Sequence, residues 1–348
     1  SGCSWGNWTR KNISARFSSR SWAYSRPRRG RWADARTCGV ESRRKVIRRP
    51  MASQLDLAYD HCQSVAREHA KNFYFAFRTL PSKKRLAIYA AYAFCRLCDD
   101  VADGSMSIDE KRKEFARIRG LLTQSMESGS VAPQRDIPPE FSALADASAA
   151  FGIPIRYYEE VIEGVESDLV KTRFENFEEL RTYCYNVASV VGLICIEVFG
   201  YDDEAAKQHA IEMGLAMQLT NILRDVKEDA GLDRIYIPRD ELAQFGYSEE
   251  DLKAGVANDA FRELMAHQAE RARGFYDSSE RLFGMLPVES RACPKVLHAA
   301  YKAILGRIED SGFDVFSRRI GLSTSEKLLI TARLWAGSLL PRVPLPRR

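Results

Sequence analysis

From Leu55 onward, apolar residues recur at helical spacing, and no run convincingly alternates apolar and polar positions. Glycines and prolines punctuate this pattern, and residues 127–139 predict a loop. No internal repeat or mid-chain linker divides the body. The sequence therefore predicts an all-α fold in one helical domain over residues 51–340. Helices are expected at 82–103, with Ser82 as the N-cap, and at 140–151, 155–170, 177–200, 203–229, 239–245, 258–284, 290–310 and 324–338.

Residues 1–50 differ from the rest, with 14 Lys or Arg against two acids and no apolar period. Without an apolar core, this segment is not a secretory signal. It is expected to be a dispensable, disordered extension, either translated from upstream of Met51 or similar to an organellar transit peptide. The remaining residues carry 38 basic and 45 acidic side chains. The basic overall balance therefore does not predict a nucleic-acid partner.

The chain shows no stretch of the 18–20 apolar residues that a spanning helix needs. The nearest is 328–340, interrupted by Arg333 and followed by a basic tail at 341–348. This end is expected to be either a packed terminal helix or a helix lying on a membrane surface. Cys95 and Cys98 form a C-x-x-C without a second pair at zinc spacing, which favours small core residues.

The predicted helix 82–103 ends in the acidic sequence DDVAD. Asp99 and Asp103 are four residues apart and therefore share one face. Like charges at this spacing repel, and a helix C-terminus disfavours anions. Because the preceding turns are strongly apolar, a solvated helix end explains this cluster less well than a bound cation.

A second polar stripe lies on the predicted helix 203–229. Its members are three, four and four residues apart, which keeps them on one face: Gln218, Asn221, Asp225 and Asp229. Neutralising Asp99 or Asp225 is expected to leave the fold intact or more stable, because the carboxylates repel one another. Since every candidate ligand is a hard oxygen, the stripes predict Mg²⁺ rather than zinc or copper.

Magnesium completes its shell with water and phosphate oxygens, so the expected substrate is a diphosphate. Arg96, Arg224 and Arg234 stand beside the stripes and could neutralise phosphate charge. A metal-bound diphosphate leaving an allylic carbon would leave a carbocation, which needs an aromatic, water-poor pocket. The segment 72–77, rich in Phe and Tyr, suits that lining, although its rings could equally be ordinary core residues.

With these residues placed, the chain resembles the squalene/phytoene synthase family from about Leu55 to Leu328. Four segments carry the resemblance: AFCRLCDDVAD (93–103), GVESDL (164–169), YCYNVASVVG (183–192) and QLTNILRDVKEDAGLDRIYIP (218–238). The resemblance implies an isoprenoid-synthase helical bundle around a central cavity. It also implies a Mg²⁺-dependent prenyltransferase that joins two prenyl diphosphates head to head through a cyclopropyl diphosphate.

The resemblance also assigns roles to individual residues. It implies metal ligation, with catalytic importance for the acids, by Asp99, Asp103, Asn221, Asp225 and Asp229. It implies a catalytic Tyr183 that assists at the cation or at proton transfer. It implies substrate contacts by Phe73, Phe77, Arg96, Asp168, Val187, Gly192, Gln218, Arg224, Arg234 and Tyr236. One departure stands beside Phe73, where the family often has S-x-S-F and this chain has Ala70-Lys71-Asn72-Phe73.

The product stays open. Proton loss would give phytoene or a dehydrosqualene, whereas hydride from NADPH would give squalene, and the substrate has either 15 or 20 carbons. Alternatives are a terpene cyclase acting on one diphosphate, a head-to-tail elongating synthase, and a helical scaffold without enzymatic activity. The chain is expected to be a monomer, peripheral to a membrane, and cytoplasmic, or plastid if residues 1–50 are a transit peptide.

Overall fold

The computed structural model describes residues 53–70, 73–127 and 137–339. Within these ranges the chain is helical and contains no strand, which confirms the all-α prediction. The elements are α1 (Gln54–His69), α2 (Phe73–Phe77), α3 (Ser82–Asp103), α4 (Ile108–Glu127), α5 (Pro139–Phe151), α6 (Ile155–Ser167), α7 (Phe177–Cys184), a π-helical segment (Tyr185–Ser189), α8 (Val190–Phe199), α9 (Ala205–Arg224), α10 (Val226–Ala230), α11 (Arg239–Gln244), α12 (Glu249–Ala254), α13 (Asp259–Ser279), α14 (Leu282–Met285), α15 (Ala292–Asp310) and α16 (Thr324–Leu339).

Helix α9 is the centre of the bundle. It packs against α8, α13, α15 and the π-helical segment. Two glycines permit its close approach to the helix that runs antiparallel beside it. A Cβ at Gly214 would lie 2.5 Å from the Cα of Ser189, and one at Gly192 would lie 2.9 Å from the carbonyl oxygen of Ala210. Larger residues at either position would force these helices apart.

Three details differ from the predicted elements. The expected helix 203–229 is interrupted at Asp225, whose backbone (φ −103°) separates α9 from α10. The first helical residue of α3 is Ser82 and its N-cap is Pro81, so the serine does not cap the helix. Helices α1, α4 and α12 lie outside the set of bounded helices that was predicted; α12 has only six residues, too few for a periodic pattern to develop.

The expectation that no segment reaches spanning length is wrong for Phe177–Phe199. Among the described residues, this 23-residue helical run alone is long and apolar enough to cross a membrane by composition, with mean hydropathy 1.5. However, 67% of its window is buried inside the bundle. This run comprises α7, the π-helical segment and α8. Its length and apolar composition are those of a buried core helix. The proposed extension 1–50 and tail 341–348 lie outside the described residues.

Candidate active site

An apolar cavity, partly open to solvent, lies between α2, α8, α9 and α15. Its polar end is formed by Gln218 and Asn221 on α9. Aromatic and aliphatic side chains line the remainder. Five of the predicted site residues are among those lining the cavity, namely Phe73, Phe77, Gly192, Gln218 and Asn221, and the others are Ala188, Cys195, Ile196, Phe199, Ala210, Met213, Gly214, Met217, Leu282, Pro294, Leu297 and Tyr301. The cavity therefore suits a long hydrocarbon chain with a polar group at one end.

The second polar stripe bends at Asp225, which is 1% exposed. Its carboxylate accepts hydrogen bonds from Arg224 Nε (2.9 Å) and Nη2 (2.6 Å). Arg319, from the loop before α16, donates to the same carboxylate from Nε (3.0 Å) and Nη2 (2.8 Å). Burial alone would raise the pKa of Asp225, but the two guanidinium groups outweigh it and hold that pKa below its usual value. Asp225 is therefore paired with two cations. The expected repulsion between carboxylates does not describe its surroundings.

One turn earlier, the Asn221 amide donates to Gln218 Oε1 at 3.3 Å. Its own Oδ1 is buried and accepts no hydrogen bond from any residue that the structure describes. Burial is the main reason that the pKa of Tyr301 is raised, and hydrogen bonds to Asn221 and Arg224 oppose the shift. Tyr301 thus joins the amide end of the cavity to the Arg224–Asp225 pair.

On α3, Asp99 is buried and 2% exposed, whereas Asp100 and Asp103 are exposed. The guanidinium of Arg96 forms an ion pair with Asp100, one turn along the helix. Asp99 and Asp100 therefore face in different directions, as helical geometry requires. The burial of Asp99 in an apolar helix requires an electrostatic partner or a bound cation.

A chain of aromatic rings runs from α3 to the second stripe. Tyr92 contacts Phe77 with ring centroids 6.2 Å apart, Phe77 stacks on Phe73 at 6.1 Å, and Phe73 contacts Tyr301 at 5.9 Å. The rings of Phe73 and Phe77 face the cavity. They form an aromatic wall. Such a wall stabilises a carbocation electrostatically and offers no nucleophile that would react with it.

A separate polar cluster surrounds Asp168 at the end of α6. Tyr183 donates to its Oδ2 at 3.1 Å and Tyr236 to its Oδ1 at 3.4 Å, while Arg234 donates to its backbone oxygen at 3.2 Å. Tyr183 and Tyr236 stack with centroids 5.3 Å apart. Asp103 is close enough for its charge to act on Asp168. The first acidic stripe and the 234–236 segment therefore meet at this cluster.

Burial raises the pKa of Asp168 from 3.8 to about 6, despite the opposing effects of Arg234 and Tyr183. Between these values the folded state binds more protons than the unfolded state, so this group's contribution to stability is lost as pH rises to about 6. We expect the stability of Asp168→Asn, measured relative to the wild type, to be greater at pH 7 than at pH 4. Thermal melting of both proteins across this range measures the difference, and parallel curves would contradict the prediction.

The donor set fits magnesium in its chemistry, although no three His, Cys, Asp or Glu side chains in the described ranges form a metal-sized cluster. Magnesium commonly takes one or two protein carboxylates and fills its shell with water and phosphate. The buried Asn221 oxygen that accepts no hydrogen bond from the described residues is a suitable hard ligand. Asp229, also buried, lies one turn beyond Asp225 beside Arg234 and Tyr236.

Sequence patterns did not single out Arg319, Tyr301 or the π-helical segment. Tyr301 shares a helical period with Leu297 and Ile304 and looks like a core residue. Val187 lies in the π-helical segment and packs against α6, where a Cβ on Gly164 would lie 2.9 Å from it. Its neighbour Ala188 lines the cavity. Such π-helical turns shift side-chain register by one residue and often occur at functional sites.

An all-α bundle whose apolar cavity ends in amides, buried carboxylates and arginines defines an enzyme of isoprenoid-synthase type. The family model for squalene/phytoene synthase matches residues 66–326, and the chain belongs to this family. It is a prenyltransferase that condenses two prenyl diphosphates head to head. Nothing in these matches supports a terpene cyclase.

Relatives and solved structures agree with this assignment. Phytoene synthase 2, chloroplastic, of Solanum lycopersicum is 37% identical over 82% of this chain and 93% of its own length. The 15-cis-phytoene synthase of Synechococcus elongatus is 37% identical over 80% of this chain and 92% of its own. A dehydrosqualene synthase structure superposes with TM-score 0.73 and 27% identity over 82% of this chain and 97% of its own. The structure of a squalene synthase from Alicyclobacillus acidocaldarius superposes with TM-score 0.70 and 27% identity, over 76% of this chain and 97% of its own.

Proposed function

We propose that this enzyme condenses two molecules of geranylgeranyl diphosphate into phytoene, with Mg²⁺ and without NADPH. The relatives named above as phytoene synthases support the product. The length of the cavity supports the substrate. The cavity lining follows α9 from Asn221 to Ala210. From there it continues along the antiparallel helix α8, from Gly192, which lies opposite Ala210, to Phe199.

At 1.5 Å per helical residue, these two stretches together span about 27 Å. Four isoprene units extend roughly 20 Å, judged from ordinary carbon–carbon bond lengths. The lining therefore extends along the helices as far as a 20-carbon chain reaches from the amide end, and beyond the end of a 15-carbon chain. This length is the single observation that favours the longer substrate.

The metal would be held by Asp99, Asp103, Asn221, Asp225 and Asp229, where it would stabilise charge on the departing diphosphate. Because Arg224 and Arg319 hold Asp225 in this structure, ligation by Asp225 would replace some of those contacts. Arg96 and Arg234 are half-buried cations for the diphosphate oxygens. Tyr183, whose hydroxyl donates to Asp168, would assist proton transfer.

Product analysis tests this proposal. Purified enzyme receives geranylgeranyl or farnesyl diphosphate separately, with and without NADPH, and with Mg²⁺ or a chelator. We expect a 40-carbon hydrocarbon from the longer substrate, independent of NADPH and lost with the chelator. Preference for farnesyl diphosphate, or a requirement for NADPH, would contradict the proposal, and the parallel reaction with the other substrate serves as the control.

We further propose that the enzyme acts as a monomer at a membrane surface, in the cytoplasm or in a plastid. The substrates and product are apolar, and several plant relatives are named as chloroplastic. Co-sedimentation with anionic liposomes at low salt is the expected result, and protein that stays wholly in the supernatant would contradict it.

A further inference from the structure

Two cavities meet on α15. The reaction cavity contacts Leu297 and Tyr301 on this helix. The same two side chains also line a second, small apolar cavity, which is completed by Val296, Ala300, Ile304, Leu322, Lys327 and Thr331. The side chains of Leu297 and Tyr301 therefore form a wall that the two cavities share.

Helix α16 covers the second cavity. Its inner side chains Ile330 and Leu334 pack against the core, and the helix contacts both α15 and α2. Its outer face exposes Leu328, Leu329 (69%) and Trp335 (48%). The second cavity therefore lies between the wall of the reaction cavity and a helix whose outward face is apolar.

Basic side chains border this apolar face. Arg333 on α16 and Arg318 in the preceding loop are exposed. The acid in the first turn of α16, Glu326, is ion-paired with Arg307. Residues 341–348 contain three arginines and no acid. An apolar helix face with a basic border is complementary to an anionic lipid surface.

The chemistry of the product explains why such an exit is needed. A head-to-head hydrocarbon has no polar group, and transfer of its apolar surface into water costs about 25 cal/mol per Å². We propose that the product leaves between α15 and α16, past Leu297 and through the second cavity, directly into an anionic bilayer against which the outer face of α16 lies. This inference rests on the proposed function.

A single-turnover experiment separates chemistry from exit. Enzyme in excess is immobilised on beads, mixed with labelled geranylgeranyl diphosphate and phosphatidylglycerol-containing vesicles, and the vesicles are recovered after a high-salt wash. Diphosphate release reports the reaction, and label in the vesicles reports exit. Thr331→Phe fills the second cavity from α16, and Ala332→Phe adds the same ring at the exposed neighbouring position as a matched control.

We expect Thr331→Phe to release diphosphate as the wild type does, while transfer of label into vesicles slows at least about tenfold and the label stays on the beads. The Ala332→Phe protein should match the wild type in both measurements. A double variant, Leu329→Lys with Trp335→Lys, should also keep diphosphate release and lose transfer, because the bilayer contact is gone.

Wild-type transfer by Thr331→Phe would overturn the exit route, and wild-type transfer by the double lysine variant would overturn the membrane contact. Absence of diphosphate release from the wild type would overturn the proposed function itself. Thermal melting accompanies each variant, and diphosphate release at the wild-type rate independently shows that the variant is folded.

Discussion

Asp99→Asn and Asp225→Asn are each expected to lower turnover by about 10²–10³-fold, the usual effect of removing one group that stabilises developing charge. The two residues lie in different helical segments, and both are buried. Each loss would leave diphosphate charge uncompensated during ionisation. Release of diphosphate, measured at saturating substrate and Mg²⁺, checks the prediction.

Asp100→Asn is the matched control, because Asp100 neighbours Asp99 but is exposed and paired with Arg96. It should retain most of the activity. Thermal melting with Mg²⁺ and an unreactive diphosphate analogue supplies a second readout. Wild type and Asp100→Asn should be stabilised by metal and analogue together, while the other two variants lose that gain. Equal stabilisation of all four proteins would show that the wrong helix face was chosen.

The two variants should differ in stability without ligand. At Asp225, the substitution leaves Arg224, which is 2% exposed, without its carboxylate. Loss of one partner of a buried ion pair costs about 3–5 kcal/mol. Asp225→Asn should therefore be destabilised, contrary to the expectation from repulsion between stripe carboxylates. Asp99→Asn should be unchanged or more stable, because it removes the repulsion between Asp99 and Asp103, four residues apart on the same helix.

Helical periodicity was enough to predict the all-α class, because each helix buries one stripe of side chains at fixed spacing. It also located the polar stripes, since their members lie close together in the chain. Helical periodicity could not predict contacts between residues that are distant in sequence, such as the one made by Arg319. This residue lies 94 positions from Asp225, and only the packing of the loop before α16 brings the two together.

The π-helical segment marks a second limit. Gly164 and Gly214, on neighbouring helices, pack tightly against this segment, and no local sequence pattern encodes those contacts. The interruption at Asp225 is similar. Residues 218–229 have an unbroken helical period, yet two arginines hold the carboxylate at the bend. Tertiary contacts therefore decide the geometry of the site after periodicity has placed its residues on helices.

Cavity length is a property of the same kind, and Cys195 allows it to be tested. Cys195 lines the cavity four residues before Phe199. Four residues of helix correspond to about 6 Å, close to one isoprene unit. Cys195→Phe should fill the far end of the cavity and exclude the fourth unit of geranylgeranyl diphosphate. Cys195→Ala is the control, because it removes the thiol without filling space.

We expect Cys195→Phe to shift the ratio of kcat/KM for geranylgeranyl over farnesyl diphosphate by about 10²-fold towards the shorter substrate. Burial of each methylene contributes about 0.8 kcal/mol, so five carbons account for up to about 4 kcal/mol, and 1.4 kcal/mol is a factor of ten. The estimate of 10²-fold allows for partial relaxation of the pocket. Competition between the two labelled substrates measures the ratio directly. An unchanged ratio in Cys195→Phe, with activity retained, would show that the chain does not extend past Cys195 and that another part of the bundle sets its length.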